Sequence, residues 1–310
     1  MLRYLLFAFY ILHFFTGINA KIEESVLISS RELSSIRDEP DFDKNYRIIE
    51  ANFGPKGQDN FGKGHIPGAI YVDAAFNSTK LTLLEVSLPI LEAWQSYLGS
   101  LGISNDHQLI IYDRSEYGFK QSSRLFYLIK LFGKNKVKVL NGGFNDWVRN
   151  RFDASTKIQK FSDEIYIASF NPKLLRLYEN IIKNIETNAE ILVDARNSSE
   201  YENGHIPGAF NVPYNEFFDS KTGLLKTKQE LMKMVLNEGI DLNESIIAYC
   251  QSGIRASSLM LVLEMVGAKK VSVYNGSWFE YSQRSEDMLD KIITRLTKFF
   301  DSLFNFVLFK

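Results

Sequence analysis

Ser245-Ile-Ile-Ala-Tyr-Cys250-Gln-Ser-Gly253-Ile-Arg255-Ala-Ser257 is the stretch whose reading decides the fold. Ile246 to Tyr249 reads as a buried strand, and a helix is expected from about Ala256 to Val266. Between them lies a tight polar turn that carries Gly253 and the chain's only cysteine. That order places a thiol at the carboxyl end of a strand and at the amino end of a helix, the edge where open α/β sheets hold their ligands. The first helical N–H groups have no intrahelical partner there, and the helix dipole favours negative charge. A cysteine in that field, with Arg255 in the same loop, is expected to be partly thiolate. The competing reading, a buried cysteine acting as a small hydrophobe, leaves the glycine turn and the arginine without a purpose.

Working outward, the same series of elements occurs twice. Gly64-His-Ile-Pro-Gly-Ala69 returns unchanged as Gly204-His-Ile-Pro-Gly-Ala209. Ile48-Ile-Glu-Ala51 corresponds to Leu192-Val-Asp-Ala195, Leu109-Ile-Ile-Tyr112 to Ile246-Ile-Ala-Tyr249, and Asn141-Gly-Gly-Phe144 to Asn275-Gly-Ser-Trp278. The offset falls from 144 to 134 residues along these matches, as expected when loops vary and cores do not. An internal duplication of alternating strands and helices predicts two α/β domains with mainly parallel sheets. Strands are expected at Ser25–Ser29, Tyr46–Ala51, Gln108–Tyr112, Val137–Leu140, Glu190–Asp194, Ser245–Tyr249 and Lys270–Tyr274. Helices are expected after a capping box at Ser29 and Glu32, and at Leu88–Leu101, Ser122–Leu131, Phe144–Val148, Leu174–Ile185 and Lys228–Glu238. Asn52 to Gly64 reads as a loop. The alignment sets Asp113 opposite Cys250, so the second copy has a nucleophile and the first does not.

The rest of the chain bounds the possibilities. A net charge of −1 and 45% hydrophobic residues give no basic excess for nucleic acid. The mean hydropathy of −0.14 argues against many membrane spans. One cysteine excludes an intramolecular disulfide, and the four histidines lack the spacing of a helical metal pair, so no metal is expected. Arg3 precedes an apolar run from Tyr4 to Phe15, which reads as a signal peptide over residues 1–20, with an uncleaved membrane anchor as the alternative. Sequons at Asn77, Asn197, Asn243 and Asn275 suit a secretory route. Residues 22–150 and 171–285 then form the two domains, joined by a charged linker over 151–170. Residues 286–310 carry an apolar helical face, read as a helix packed on a domain, with membrane or partner contact as the alternative.

Asp194-Ala-Arg196, Gly204-His-Ile-Pro-Gly-Ala209, the Cys250 loop and Asn275-Gly-Ser-Trp278 together resemble the rhodanese family. The tandem arrangement, with an inactive first copy, is similar to its two-domain thiosulfate and 3-mercaptopyruvate sulfurtransferases. The resemblance implies two rhodanese-like α/β domains, a catalytic Cys250 that carries sulfur as a persulfide, and an active-site loop of Gln251, Ser252, Gly253, Ile254 and Arg255. It implies donor binding by Arg196 and Arg255, a small-molecule sulfur donor, a thiol, thioredoxin-like or cyanide acceptor, and no cofactor. His65 and His205 read as structural residues of tight turns, and Trp278 and Glu280 as braces of the last strand-to-helix turn. Gln251-Ser252 shares one residue with the Gly-Ser pair that follows the cysteine in the mercaptopyruvate enzymes and none with the Arg-Lys pair of the thiosulfate enzymes; Ala75 stands where the mercaptopyruvate enzymes use Asp, and no histidine lies near Val86 where they use His, so the donor stays open. Two rivals remain. A cysteine phosphatase places five residues between Cys and Arg, whereas four separate Cys250 from Arg255. A non-catalytic binding or persulfide-carrier module would keep the loop without turnover.

Overall fold

Two five-stranded sheets of identical strand order carry the chain, and all their pairings are parallel. The computed structural model describes residues 25–78 and 87–286. The signal peptide expected at 1–20 and the tail helix expected beyond Glu286 lie outside them, as does Val86. No helix among the described residues is long and apolar enough to cross a membrane.

The first sheet contains β1 (Leu27–Ile28), β2 (Tyr46–Asn52), β3 (Ile70–Asp73), β4 (Gln108–Tyr112) and β5 (Val137–Leu140), in the order β1-β5-β4-β2-β3. The second contains β6 (Leu175–Arg176), β7 (Ile191–Asp194), β8 (Phe210–Asn211), β9 (Ser245–Tyr249) and β10 (Lys270–Tyr274), in the order β6-β10-β9-β7-β8. Each strand of one sheet has its counterpart at the same place in the other. The central β4 and β9 are buried on both faces after their first residue, as strands covered by helices must be.

The helices of the first half are α1 (Ser30–Arg37), α2 (Phe42–Asn45), α3 (Gly54–Lys63), α4 (Leu91–Ser100), α5 (Lys120–Leu131) and α6 (Gly143–Arg149). Those of the second are α7 (Tyr178–Thr187), α8 (Ser198–Glu202), α9 (Lys228–Asn237) and α10 (Ile254–Val266), with residues 277–286 helical as well. The capping box of α1 is formed on both sides by Ser29 and Glu32. Helices α5 and α10 follow the two equivalent loops and pack on each other between the sheets, tied by Lys130 and Glu264 at 2.6 Å. One apolar core runs through both halves, from Ile49 and Leu109 through Leu125 and Leu259 to Val193 and Ile246.

Some local expectations change. Asn52 to Gly64 is mostly helix: Pro55 occupies the first turn, where its missing N–H has no bond to lose, and Phe61 is buried. The helix expected from Leu88 begins at Leu91, because Pro89 disfavours a helical residue before it. The helix expected from Leu174 begins at Tyr178, because Leu175 and Arg176 pair with Val273 and Tyr274 as an edge strand. The segment 151–170 has no helix or regular strand, yet it is fastened down. Ser155 and His65 exchange backbone bonds at 2.8 Å, Ser169 N–H donates to Phe132 O, and Tyr166 is buried. The Asn275 sequon is buried, whereas Asn77, Asn197 and Asn243 are exposed.

Candidate active site

Cys250 ends β9 and is 1% exposed. The chain then turns through Gln251 and Ser252, both half-buried, to Gly253, whose φ of +85° caps α10. Only glycine suits that position: a Cβ would strain the left-handed backbone and lie 2.8 Å from the Asn275 carbonyl oxygen. The turn after β10 grips the loop from behind. Cys250 N–H donates to Ser277 Oγ (3.2 Å), Trp278 N–H to Cys250 O (3.0 Å), and Phe279 N–H to Gln251 O (3.0 Å). Ile254 begins α10, and Ser257 Oγ donates to Gly253 O at 2.8 Å. The sulfur therefore sits at the unsatisfied amino end of a 13-residue helix, in a loop fixed by hydrogen bonds.

Arg255 points to α8. Its Nη1 and Nη2 bind both carboxylate oxygens of Glu200 at 2.6 and 2.8 Å. Burial pulls the guanidinium down, but the Glu200 bond, the nearby Cys250 sulfur and Asp194 together hold its pKa above the ordinary value. The bond from Arg255 is the main reason that the Glu200 carboxyl lies below its usual range.

Arg196 is 2% exposed, and its position differs from that of a group presented to a donor. Its Nε and Nη2 bind Asp194 Oδ2 at 2.9 and 2.7 Å, Nη2 also donates to Gly204 O, and the guanidinium lies 4.7 Å from the Trp278 ring centroid. The first half builds the same brace from another chain position. Arg114 binds Glu50 and donates to Gly64 O, and it lies 3.9 Å from the Phe144 ring. Ile206 N–H donates to the Tyr249 hydroxyl at 3.1 Å, as Ile66 N–H does to Tyr112 at 3.2 Å. A brace that the cysteine-free half keeps is a brace of the fold, so the structure moves Arg196 from donor binding to support of the site.

His65 and His205 stack on Phe61 and Tyr201 with ring centroids 3.9 and 3.8 Å apart, and each Nδ1 lies within hydrogen-bond distance of the carbonyl of the same residue. Glu280 accepts from the Tyr274 hydroxyl at 2.9 Å and pairs with Arg284. Sequence reading missed Glu200, which only the folded chain brings to Arg255. It also missed an aromatic contact across the halves, Tyr117 on Phe218 with centroids 4.1 Å apart, and the buried Arg124. Arg124 had a legible signal: it follows Ser122-Ser123 where the repeat has the apolar Leu259 after Ser257-Ser258.

Doubled sheets, a braced strand-to-helix loop and a single cysteine in the second copy define a tandem rhodanese. Residues 29–150 and 178–284 both match the Rhodanese-like domain, and the chain belongs to that family. It is 31% identical over 255 residues to the thiosulfate sulfurtransferase of Bos taurus, covering 77% of this chain and 86% of the relative. It is 28% identical over 276 residues to the 3-mercaptopyruvate sulfurtransferase of Rattus norvegicus, covering 84% and 93%. The crystal structure of SseA from Escherichia coli, described as a 3-mercaptopyruvate sulfotransferase, superposes with a TM-score of 0.71 at 28% identity over 82% of this chain and 99% of SseA. An anaerobic ergothioneine biosynthesis enzyme from Chlorobium limicola shares the fold, with a TM-score of 0.73 at 21% identity over 83% of this chain and 68% of that one.

Proposed function

We propose that the protein is a sulfurtransferase that moves a sulfane sulfur from thiosulfate or 3-mercaptopyruvate to a thiol or cyanide acceptor through a Cys250 persulfide. The observation that carries the reading is the place of Cys250 in the chain: it follows directly on the end of β9, three residues before the αL glycine that caps the amino end of α10. The thiolate attacks the outer sulfur of the donor. A new S–S bond forms on Cys250, and the old S–S or C–S bond breaks. Sulfite leaves with the electron pair, or pyruvate leaves after its enolate takes a proton. An acceptor thiolate or cyanide then attacks the outer persulfide sulfur, and Cys250 departs as thiolate. Loop N–H groups suit the terminal sulfur anion as an anion nest. Gln251 and Ser252 line the same turn, and Arg255, partly exposed beside Glu200, is the cation placed to meet an anionic donor.

Intact-mass analysis after thiosulfate, and separately after 3-mercaptopyruvate, tests this. A gain of about 32 Da on Cys250, lost on adding cyanide, is the expected result for at least one donor, from one added sulfur atom. No adduct with either donor overturns the reading. Loading without turnover identifies a persulfide carrier instead.

The leader-like residues 1–20 and the exposed sequons at Asn77, Asn197 and Asn243 support a secretory location. A mass loss on deglycosylation of the cell-derived protein would accord with it, and an unmodified chain that starts at Met1 in the cytosol would refute it.

A further inference from the structure

The active-site thiol has two arginines near it, and only one is paired with a carboxylate. Arg255 is paired with the partly exposed Glu200. The other, Arg124, comes from the cysteine-free half, on α5, and is 0% exposed. Its Nη1 donates to Asn275 Oδ1 at 2.8 Å, while Nε and Nη2 are buried with no hydrogen-bond partner. Among the described residues no carboxylate pairs with it. The other buried arginines among the described residues are satisfied differently: Arg196 by Asp194, and Arg47 by the carbonyls of Gly102, Asp43 and Tyr46.

Asn275 connects this cation to the catalytic loop. Its carbonyl oxygen and Oδ1 lie 2.8 and 3.1 Å from where a Cβ of Gly253 would stand. Arg124 thus reaches the underside of the Cys250 loop through one side chain. Asn275 is neutral, so it fixes the guanidinium without cancelling its charge. A buried cation without a partner anion is costly to the folded chain unless an anion forms beside it. The groups that face this site are Arg124 and Tyr127 from α5, Arg255 from α10 with Glu200 from α8, and Asp194 from β7. Burial draws the Arg124 guanidinium down in pKa, and the Tyr127 hydroxyl and the Cys250 sulfur draw it back up.

We propose that Arg124 is a positioning residue for sulfur transfer: held by Asn275, it supplies from the silent half the positive charge that stabilises the sulfur anion on Cys250. The thiolate before transfer and the persulfide anion after it both receive this charge. The copy without a nucleophile thereby contributes to the chemistry of the copy with one. This inference rests on the reading of Cys250 as nucleophile, and its test is independent of any sulfur donor.

The test is the rate of Cys250 alkylation by iodoacetamide, measured against pH on the full chain. Arg124→Gln should move the profile about one pH unit upward, so that alkylation on its acid limb slows about tenfold, as loss of one nearby opposite charge implies. Arg124→Lys should restore most of the rate. A folded Arg124→Gln protein with the native profile overturns the proposal. Should Arg124→Gln fail to fold, Asn275→Asp decides: the near-isosteric carboxylate pairs with the guanidinium and should shift the profile upward, and an unshifted profile overturns the proposal. If sulfur loading fails while the profile still shifts, the proposed function is wrong and the electrostatic inference stands.

Discussion

Asp113 and Cys250 end equivalent central strands, and the loops that follow do opposite things. In the second half the loop reaches its αL glycine three residues on, at Gly253, and leaves the helix end to the sulfur. In the first, Gly118 comes five residues on, and the carboxylate fills the cradle itself. Asp113 Oδ1 accepts from Ser115 N–H and Ser115 Oγ, and Oδ2 from Ser122 N–H, at 2.6 to 2.7 Å. Burial still raises its pKa against those bonds. The outer frame is unchanged: Phe144 N–H donates to Asp113 O as Trp278 N–H does to Cys250 O, both at 3.0 Å. The difference shows that the N–H groups of this turn take an acceptor from their own chain in one half and leave the place to the cysteine in the other. The first half fills this place with a carboxyl group from its own chain, and the second leaves a thiol there.

The largest effect that could break this contrast is at the two strand ends. Cys250→Ser should lower turnover at least about 10³-fold, the scale of losing a covalent nucleophile. Adding Asp113→Cys to it should rescue nothing in a steady-state assay, because the loop after that position reaches its glycine only at Gly118 and lacks the Gln251-Ser252-Gly253 turn. Rescue would mean that the halves are interchangeable.

Next come the paired glycines. Gly253→Ala and Gly118→Ala both place a Cβ on a left-handed residue, with φ of +85° and +62°, at a cost of about 1–3 kcal/mol each. Thermal melting should register both. Only Gly253→Ala should also collapse kcat, since its Cβ displaces Asn275 under the active loop. Asp113→Ala should cost about 1–3 kcal/mol in urea unfolding, as two loop N–H donors lose their acceptor, while persulfide loading persists.

The smallest effect is at Glu200. Its carboxyl pKa is lowered in the folded chain, so the Arg255 tie stabilises above the unfolded value near 4.5 and is lost as pH falls through the lower folded value. With the pair partly solvated, the contribution is at most about 1 kcal/mol. Glu200→Gln should flatten this acid dependence and lower the KM for an anionic donor by freeing Arg255. An unchanged KM would remove Arg255 from donor binding.

Much of this was legible before folding, because long buried strands and letter-for-letter repeats are strong signals. β4, β5, β9 and β10 have the bounds that their apolar runs imply. β6 and β8 are two residues long and have no period to read, and β3 follows a turn motif that drew attention to itself. The Cys250 loop was readable because its chemistry is local in sequence. The partner of Arg255 was not, since Glu200 lies 55 residues away and meets it only across the sheet edge. Arg196 shows a subtler limit. Its counterpart Arg114 sits in the other loop of the repeat, so aligned positions conceal that both arginines do one job.

The shared core between the sheets has a consequence for how the molecule fails. Each half has an apolar cluster of its own, around Trp147 in the first and Tyr249 in the second, but the largest cluster holds Leu125 and Leu259 together, and the connecting segment is fastened to the first half. Heating should melt the protein in one cooperative step, and damage to the cysteine-free half should unfold the half that carries Cys250.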